Sequence, residues 1–352
     1  MPLLTKRLIH LCSIALLIPL LQSCGRQITP VAYGQVDHIM VVAPEDLYRG
    51  ALRDTFLHFF QAPYLVTPTP EPLFEIRYTK PSEFNDVRKT KRSIIIMANL
   101  EDEDSYTAQL IRNTLTRQQL EKAKTDPNYC LVIHKDRWAD QQTIVYFFSY
   151  GSTLLLQNIV KYHKTVMRQF NEADLVKLRA QSYFRGEDEK LQKALKNRLN
   201  IDLKIPLEYN QGNLDDSTMW VRKETNRLSS DVFVAVLDYE TEISPANHTK
   251  VRDALTKKYF STKIKGSYMQ IDNRIIPVSY DENYVLNGNE SLRARGLWRI
   301  VNDYMGGSFV SYMIKDDKHQ RVLFLDGFVH YPSGKKRPEM RKLDVILSTL
   351  KL

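Results

Sequence analysis

Two short runs constrain the fold of this 352-residue chain more than any other feature. Ser93-Ile94-Ile95-Ile96-Met97-Ala98 and Val232–Tyr239 are apolar on both faces rather than at alternate positions. Successive strand side chains point to opposite sides, so each run reads as a central strand covered above and below. A length prior of roughly 100–200 residues per domain makes two domains the expectation. The composition, 43% hydrophobic and 26% charged, is that of an ordinary globular chain and excludes collagen-like or wholly disordered readings. Only 3 cysteines exclude a disulfide-stapled scaffold and a cysteine-built zinc protein.

The first expected domain covers 37–184. It holds strands at His38–Ala43, Phe74–Tyr78, Ser93–Ala98, Cys130–His134 and Thr143–Ser149. Pro44 opens a helix with Leu47, Ala51, Leu52, Thr55 and Phe59 near a period of 3.6. The acidic run Glu101–Asp104 lacks the alternating ligands and glycine of a calcium loop, and reads as a helix start with Ser105 as N-cap. An amphipathic helix follows over Ser152–Gln169.

The second expected domain, 185–352, begins with a helix at Asp188–Leu199 and an alternating strand at Ile201–Pro206. Strands at Thr218–Lys223 and Val232–Tyr239 precede a helix that Ser244-Pro245 starts and that runs to Tyr259. Strands follow at Tyr268–Asp272, Leu292–Asn302, Phe309–Lys315 and Arg321–Tyr331, the last two as a hairpin. A helix opening at Pro338 carries the stripe Met340, Leu343, Ile346, Leu347 and Leu350. Strands in series flanked by helices give α+β, each domain a largely antiparallel or mixed sheet with packed helices. The second half has an early strand ending in Pro, a mid-domain helix, a meander and a terminal helix. That order resembles the sandwich of the photosystem II extrinsic P protein and Mog1 group, a likeness of topology that carries no function.

The N-terminus reads as an address. Lys6 and Arg7 precede the apolar run Leu8–Leu21, too short to span a membrane and typical of a secretory signal peptide over 1–23. It ends in Leu21-Gln22-Ser23-Cys24, which resembles the bacterial lipobox. The resemblance implies that Cys24 takes a diacylglyceryl group, becomes the first residue and is acylated again on its amine, palmitate being a usual chain. Several acyl chains hold a protein stably where one is marginal. Residues 24–36 are then a lipidated tether without an acid beside Cys24, which by analogy with lipoprotein sorting points to the outer membrane, facing the periplasm. Loss of Lys6 and Arg7 lowers the formal charge by two from +9. Cys12 leaves with the signal, and Cys130 within Tyr129-Cys130-Leu131-Val132-Ile133 reads as a core thiol.

Met219-Trp220-Val221-Arg222-Lys223-Glu224-Thr225, Gly266-Ser267-Tyr268-Met269, Arg295-Gly296-Leu297-Trp298, Met305–Tyr312 and Asp326–Pro332 resemble an uncharacterised lipoprotein family of the Bacteroidota, a domain of unknown function. The resemblance implies an envelope lipoprotein and supplies no activity. Gly306-Gly307 reads as a turn or bulge needing positive φ, and Gly296 as bare backbone under the Trp298 indole.

On an extended Leu292–Asn302, Arg293, Arg295 and Arg299 share a face with Leu297. Three guanidiniums in a row suit an anionic headgroup, glycan or phosphate; the competing reading is a solvated face paired with cross-strand acids. The catalytic search is mostly negative: no GxGxxG, Walker lysine loop, HExxH, CxxC or GxSxG occurs. Ser333–Lys336 fits SxxK only in a loop, and His319, Asp326 and His330 act together only if the fold brings them together. Asp216-Ser217-Thr218 resembles the O-glycosylation pattern of Bacteroidota envelope proteins, with Ser217 as acceptor. No cofactor or metal is expected. Export and dispersed basic residues argue against nucleic acid. The chain therefore reads as a lipid-anchored, non-catalytic binding or assembly module, partnered by the membrane through its acyl chains and by an envelope protein or an anionic glycan or lipid. An envelope hydrolase acting on glycan or lipid is the alternative, and a His–Asp pair or two acids in a cleft between the halves would favour it.

Overall fold

The computed structural model describes residues 29–64 and 66–352. The expected signal peptide and Cys24 lie outside the described residues. The fold is α+β, built on two main sheets. The first half holds β1 (His38–Val42), the small hairpin β2 (Pro63–Tyr64) and β3 (Glu71–Pro72), β4 (Glu75–Thr79), β5 (Ser93–Asn99), β6 (Leu131–Lys135) and β7 (Thr143–Ser149). Its main sheet runs β4-β1-β5-β7-β6, parallel except for the edge strand β6.

The helices of this half are α1 (Gly50–Phe60), the single turn α2 (Asp86–Lys89), α3 (Tyr106–Arg112), α4 (Arg117–Thr125) and α5 (Ser152–Ser182). Strand β5 shows why both faces had to be apolar. Ile95 and Met97 pack under α1 and α5, with Phe56, Phe60, Leu155 and Ile159. Ile94, Ile96 and Ala98 pack under α3 and α4, with Ile111 and Ala123. Cys130 is buried in the first of these layers, where burial pushes its thiol up to about 12. Ser105 caps α3 by accepting from the Ala108 N–H. Residues 44–49 form turns, so α1 starts at Gly50 and not at Pro44. Helix α5 runs on to Ser182, past the expected end at Gln169. Its inner stripe continues through Phe170, Asp174 and Leu178, and the acid in that stripe hides the continuation from a hydrophobic pattern. Of the expected tether, Val31 and Tyr33 bridge to Asp140 and Lys91.

The second half holds α6 (Glu189–Leu199), β8 (Asn210–Leu214), β9 (Thr218–Glu224), β10 (Ser229–Asp238), α7 (Pro245–Tyr259), β11 (Tyr268–Ile271), β12 (Ser279–Leu286), β13 (Asn289–Val301), β14 (Gly306–Asp316), β15 (Arg321–His330) and α8 (Arg337–Leu347). The antiparallel sheet runs β11-β13-β14-β15-β10-β9-β8, with β12 also on β13. One face packs on α6 and α8 through Leu191, Leu195, Val310, Leu325, Met340 and Leu343. The other packs on α7, through Phe233, Phe309, Phe324 and Phe328 with Leu255 beside them.

Three expectations change here. Ile201, Leu203 and Ile205 are buried, but their segment joins no sheet; Asp202 bridges Lys351 and Pro206 bridges Glu187. Its alternation is satisfied by burial in the α6–α8 layer, without a ladder. Gly306 and Gly307 are absent from the positive-φ residues and lie inside β14. A Cβ on Gly307 would sit 1.8 Å from the Val329 carbonyl oxygen, so close strand approach demands this glycine. Gly296 makes room for the Phe309 ring, 2.7 Å from where a Cβ would lie, and not for the indole.

The halves meet where α5 and the β2–β3 hairpin face α8. The Glu71 carboxylate accepts the Lys336 and Arg337 backbone N–H groups at 2.7 and 3.0 Å and so caps α8 from across the junction. Glu75 pairs with Lys335, and the Ser308 hydroxyl donates to the Val66 carbonyl. A buried ion network closes the seam: Arg92 with Asp174 at 3.0 Å, and Asp37 with Arg337 at 3.2 Å and with Arg341.

Candidate functional site

Strand alternation puts Arg293, Arg295, Leu297 and Arg299 on one face of β13, the face on which α8 lies. The register confirms the geometry, with Arg293 opposite Tyr312 and Arg295 opposite Val310, both in the α8 layer. Helix α8 adds Arg337, Arg341 and Asp344, and the first half adds Asp37, Tyr64 from β2 and Asn171 from α5. Together they line a cleft of about 380 Å³ between the halves. Arg293 and Arg295 are therefore brought together with two arginines that no local pattern links to them. Arg299 is not in the cleft. It stands farther along β13, by its register partner Gln270 and by Asp272.

The cleft is cationic. Four arginines line it against two acids, Asp37 and Asp344. These are two acids in a cleft between the halves, the arrangement that would favour a hydrolase, but Asp37 is taken up by Arg337 and Arg341 and is not free to act as acid or base. Asp344 accepts the Tyr312 hydroxyl at 2.8 Å; burial raises its carboxyl pKa, against the hydrogen bond from Tyr312 and the nearby Arg295, Arg293 and Arg341. Arg293 reaches Asp281 on β12 at 3.1 Å and lies 3.9 Å over the Tyr284 ring. That contact is the cross-strand pairing expected of a solvated face, and it uses one edge of one guanidinium. Arg293 Nε and Arg337 Nη1 are buried with no hydrogen-bond partner among the described residues, while Arg337 Nε is held by Asp37 at 3.2 Å. Burial lowers Arg341 to about 10, which leaves it charged at neutral pH. Burial raises the Tyr64 hydroxyl, and with it the Asp344 charge, so a neutral donor faces the arginines. Forked guanidinium donors in excess over carboxylates have the charge and geometry that suit an oxyanion such as phosphate, sulfate or carboxylate.

The other candidate residues do not converge. His319 pairs with Asp316 at 2.8 Å, the His330 Nδ1–H donates to the Gly306 carbonyl, and Asp326 pairs with Arg252 at 3.0 Å. Ser333–Lys336 lies in the turn before α8. Ser217 is exposed in the β8–β9 turn, where its hydroxyl donates to Asp215. One Ser–His contact escaped the sequence reading. His248 Nε2 lies 2.6 Å from the Ser311 hydroxyl, but His248 and Ser311 are fully buried beneath α7. Burial pushes His248 down to about 3, followed by the effect of Arg252, and no substrate reaches it. Among the described residues no group of three or more His, Cys, Asp or Glu is placed to hold a metal ion, and no helix is long and apolar enough to cross a membrane.

No curated protein matches the chain. Among solved structures, a point mutant of the protein Mog1 matches at 10% identity over 43% of this chain and 89% of its own, with a TM-score of 0.29. The Ran-binding protein Mog1p of Saccharomyces cerevisiae matches at 11% identity over the same shares, also with a TM-score of 0.29. The human StarD13 lipid transfer and protein localization domain matches at 11% identity over 46% of this chain and 94% of its own, with a TM-score of 0.22. Family models match in two places, each described as a domain of unknown function: DUF8532 over residues 32–183 and DUF4837 over residues 188–349.

Proposed function

We propose that the protein is a non-catalytic binding module of the cell envelope, anchored through lipid on Cys24, whose ligand carries an oxyanion held in the arginine cleft. The observation that carries this reading is the excess of guanidinium in the cleft, with two buried N–H-bearing nitrogens, Arg293 Nε and Arg337 Nη1, left without partners among the described residues. Leaving a buried donor unmet costs free energy that a bound anion would recover. The lipobox-like Leu21–Cys24 supports the anchor, and the absence of an acid beside Cys24 supports an outer-membrane address facing the periplasm. The ligand on this reading is an anionic glycan, a lipid headgroup or an acidic segment of an envelope protein.

A thermal-shift series with inorganic phosphate, sulfate and anionic glycan fragments tests the cleft. Stabilisation that grows with oxyanion concentration and is lost in Arg295→Glu supports it. Equal shifts in both proteins would count against it. Acyl labelling of Cys24→Ser tests the anchor: a variant that remains acylated and membrane-bound removes it.

A further inference from the structure

A second cavity of about 480 Å³ lies on the opposite face of the same sheet, at the end where the β13–β14 turn and the α7–β11 loop come together. Its walls include Trp220, Phe260, Trp298 and Met305, with Arg222 and Lys263 among its lining residues. The polar atoms of the two tryptophans and of Asp231 are already used. The Trp220 Nε1–H donates to Asp231 at 2.8 Å and the Trp298 Nε1–H to the Ser308 carbonyl at 3.2 Å. Asp231 also accepts from Arg222 Nε and the Ser229 hydroxyl, so this buried acid is saturated. The floor therefore offers ring faces and thioether, with little hydrogen bonding for a base or a sugar. Methionine and aromatic walls accept flexible apolar groups.

The rim has the opposite character. Arg222 lies over the Trp220 ring and keeps its terminal nitrogens beyond the bond to Asp231, while Lys258 lies over Tyr259 and Lys263 is exposed. Ile264 and Tyr304 project into solvent beside them, and Asn302 ties the two loops by donating to the Gly266 carbonyl. Asp303 is the acid on the facing turn, and it accepts its neighbour's N–H at 2.7 Å. An apolar floor under a cationic rim selects a molecule with both parts.

We propose that this cavity binds a single anionic amphiphile, its apolar chain against Trp220, Phe260, Trp298 and Met305 and its phosphate or carboxylate at Arg222 and Lys263. This site is independent of the arginine cleft. Trp220 and Trp298 are two of the chain's three tryptophans, so binding is read by intrinsic fluorescence, with Trp138→Phe as the background. The protein is titrated with dihexanoyl-phosphatidylglycerol as monomer, with dihexanoyl-phosphatidylcholine, and with glycerol phosphate as the bare headgroup. A saturable change is expected with the first, weakened about tenfold with the second and absent with the third. Lys263→Glu, an exposed change that leaves the core intact, is expected to weaken binding about tenfold, and Arg295→Glu to leave it unchanged. No saturable response, an equal response to glycerol phosphate, or no effect of Lys263→Glu would overturn the proposal. Loss of the signal in Arg295→Glu would assign the response to the cleft and overturn it as well.

Discussion

Arginine and aspartate meet on both faces of the second sheet, with different consequences. Under α7, Arg252 and Asp326 form one balanced pair, both fully buried, with the guanidinium 3.7 Å over the Phe309 ring. Under α8, Arg293, Arg295, Arg337 and Arg341 face Asp37 and Asp344 around a cleft that reaches solvent. An unmet N–H does not separate the two, since Arg252 Nη1 also lacks a partner. Charge balance and access do. The sealed pair has nowhere to admit an ion and so acts as structure; the open cluster has both surplus charge and room for a counter-ion.

The comparison can be broken first at the sealed pair. Asp326→Ala strands a buried guanidinium and is expected to cost about 3–5 kcal/mol in urea unfolding. Arg252→Met with Asp326→Leu should recover most of that loss; a single variant costing under about 1 kcal/mol would mean the pair is not structural. Next is acid sensitivity on that face. Burial depresses His248 to about 3 in the folded protein, from 6.5. Its contribution is complete above pH 6.5. As pH falls from 6.5 toward 3 the unfolded chain takes up a proton that the native site refuses, and stability drops by at most about 1.4 kcal/mol per pH unit. The difference between wild type and His248→Gln, followed by urea midpoints from pH 7 to 4, should show this slope; parallel curves would contradict it.

Across the junction, Glu71→Ala removes the cap from α8 and should cost about 1 kcal/mol, read by the same unfolding curves. An unchanged midpoint would show that the first half does not hold the helix that carries Arg337 and Arg341. The smallest stability effect belongs to the open cluster itself. Arg295→Gln should shift stability by less than about 0.5 kcal/mol, because its surplus charge serves no closed pair.

Parts of this were legible in the sequence. The stripe Met340, Leu343, Ile346, Leu347 and Leu350 is all buried, because an apolar helix face is a local, periodic signal. The same reading misses the inner seam of α7, where His248, Arg252 and Thr256 are buried at four-residue spacing. Polar residues on a helix face look like solvent until their partners, Ser311 and Asp326, arrive from strands 63 and 74 positions away. Strands β8 and β12 are hidden for a related reason. Asn210-Gln211-Gly212-Asn213 and Tyr280-Asp281-Glu282-Asn283 lie outside the sheet's centre and lack the apolar faces that betray a covered strand. At the cleft, alternation on β13 assigns Arg293 and Arg295 to one face, and also Arg299, which the same rule cannot tell apart. Which of them meets α8 is fixed by helix packing within the second half, and which meets Tyr64 by the docking of the two halves; both are long-range facts.

The central claim is that the cleft, and not the strand face as a whole, receives the anion. Isothermal titration with inorganic pyrophosphate, on wild type, Arg295→Gln and Arg299→Gln, tests it most directly. The predicted result is saturable binding that weakens about tenfold or more in Arg295→Gln and is unchanged in Arg299→Gln, with all three proteins equally stable in urea. Equal losses in the two variants, or no binding by wild type, would contradict the account.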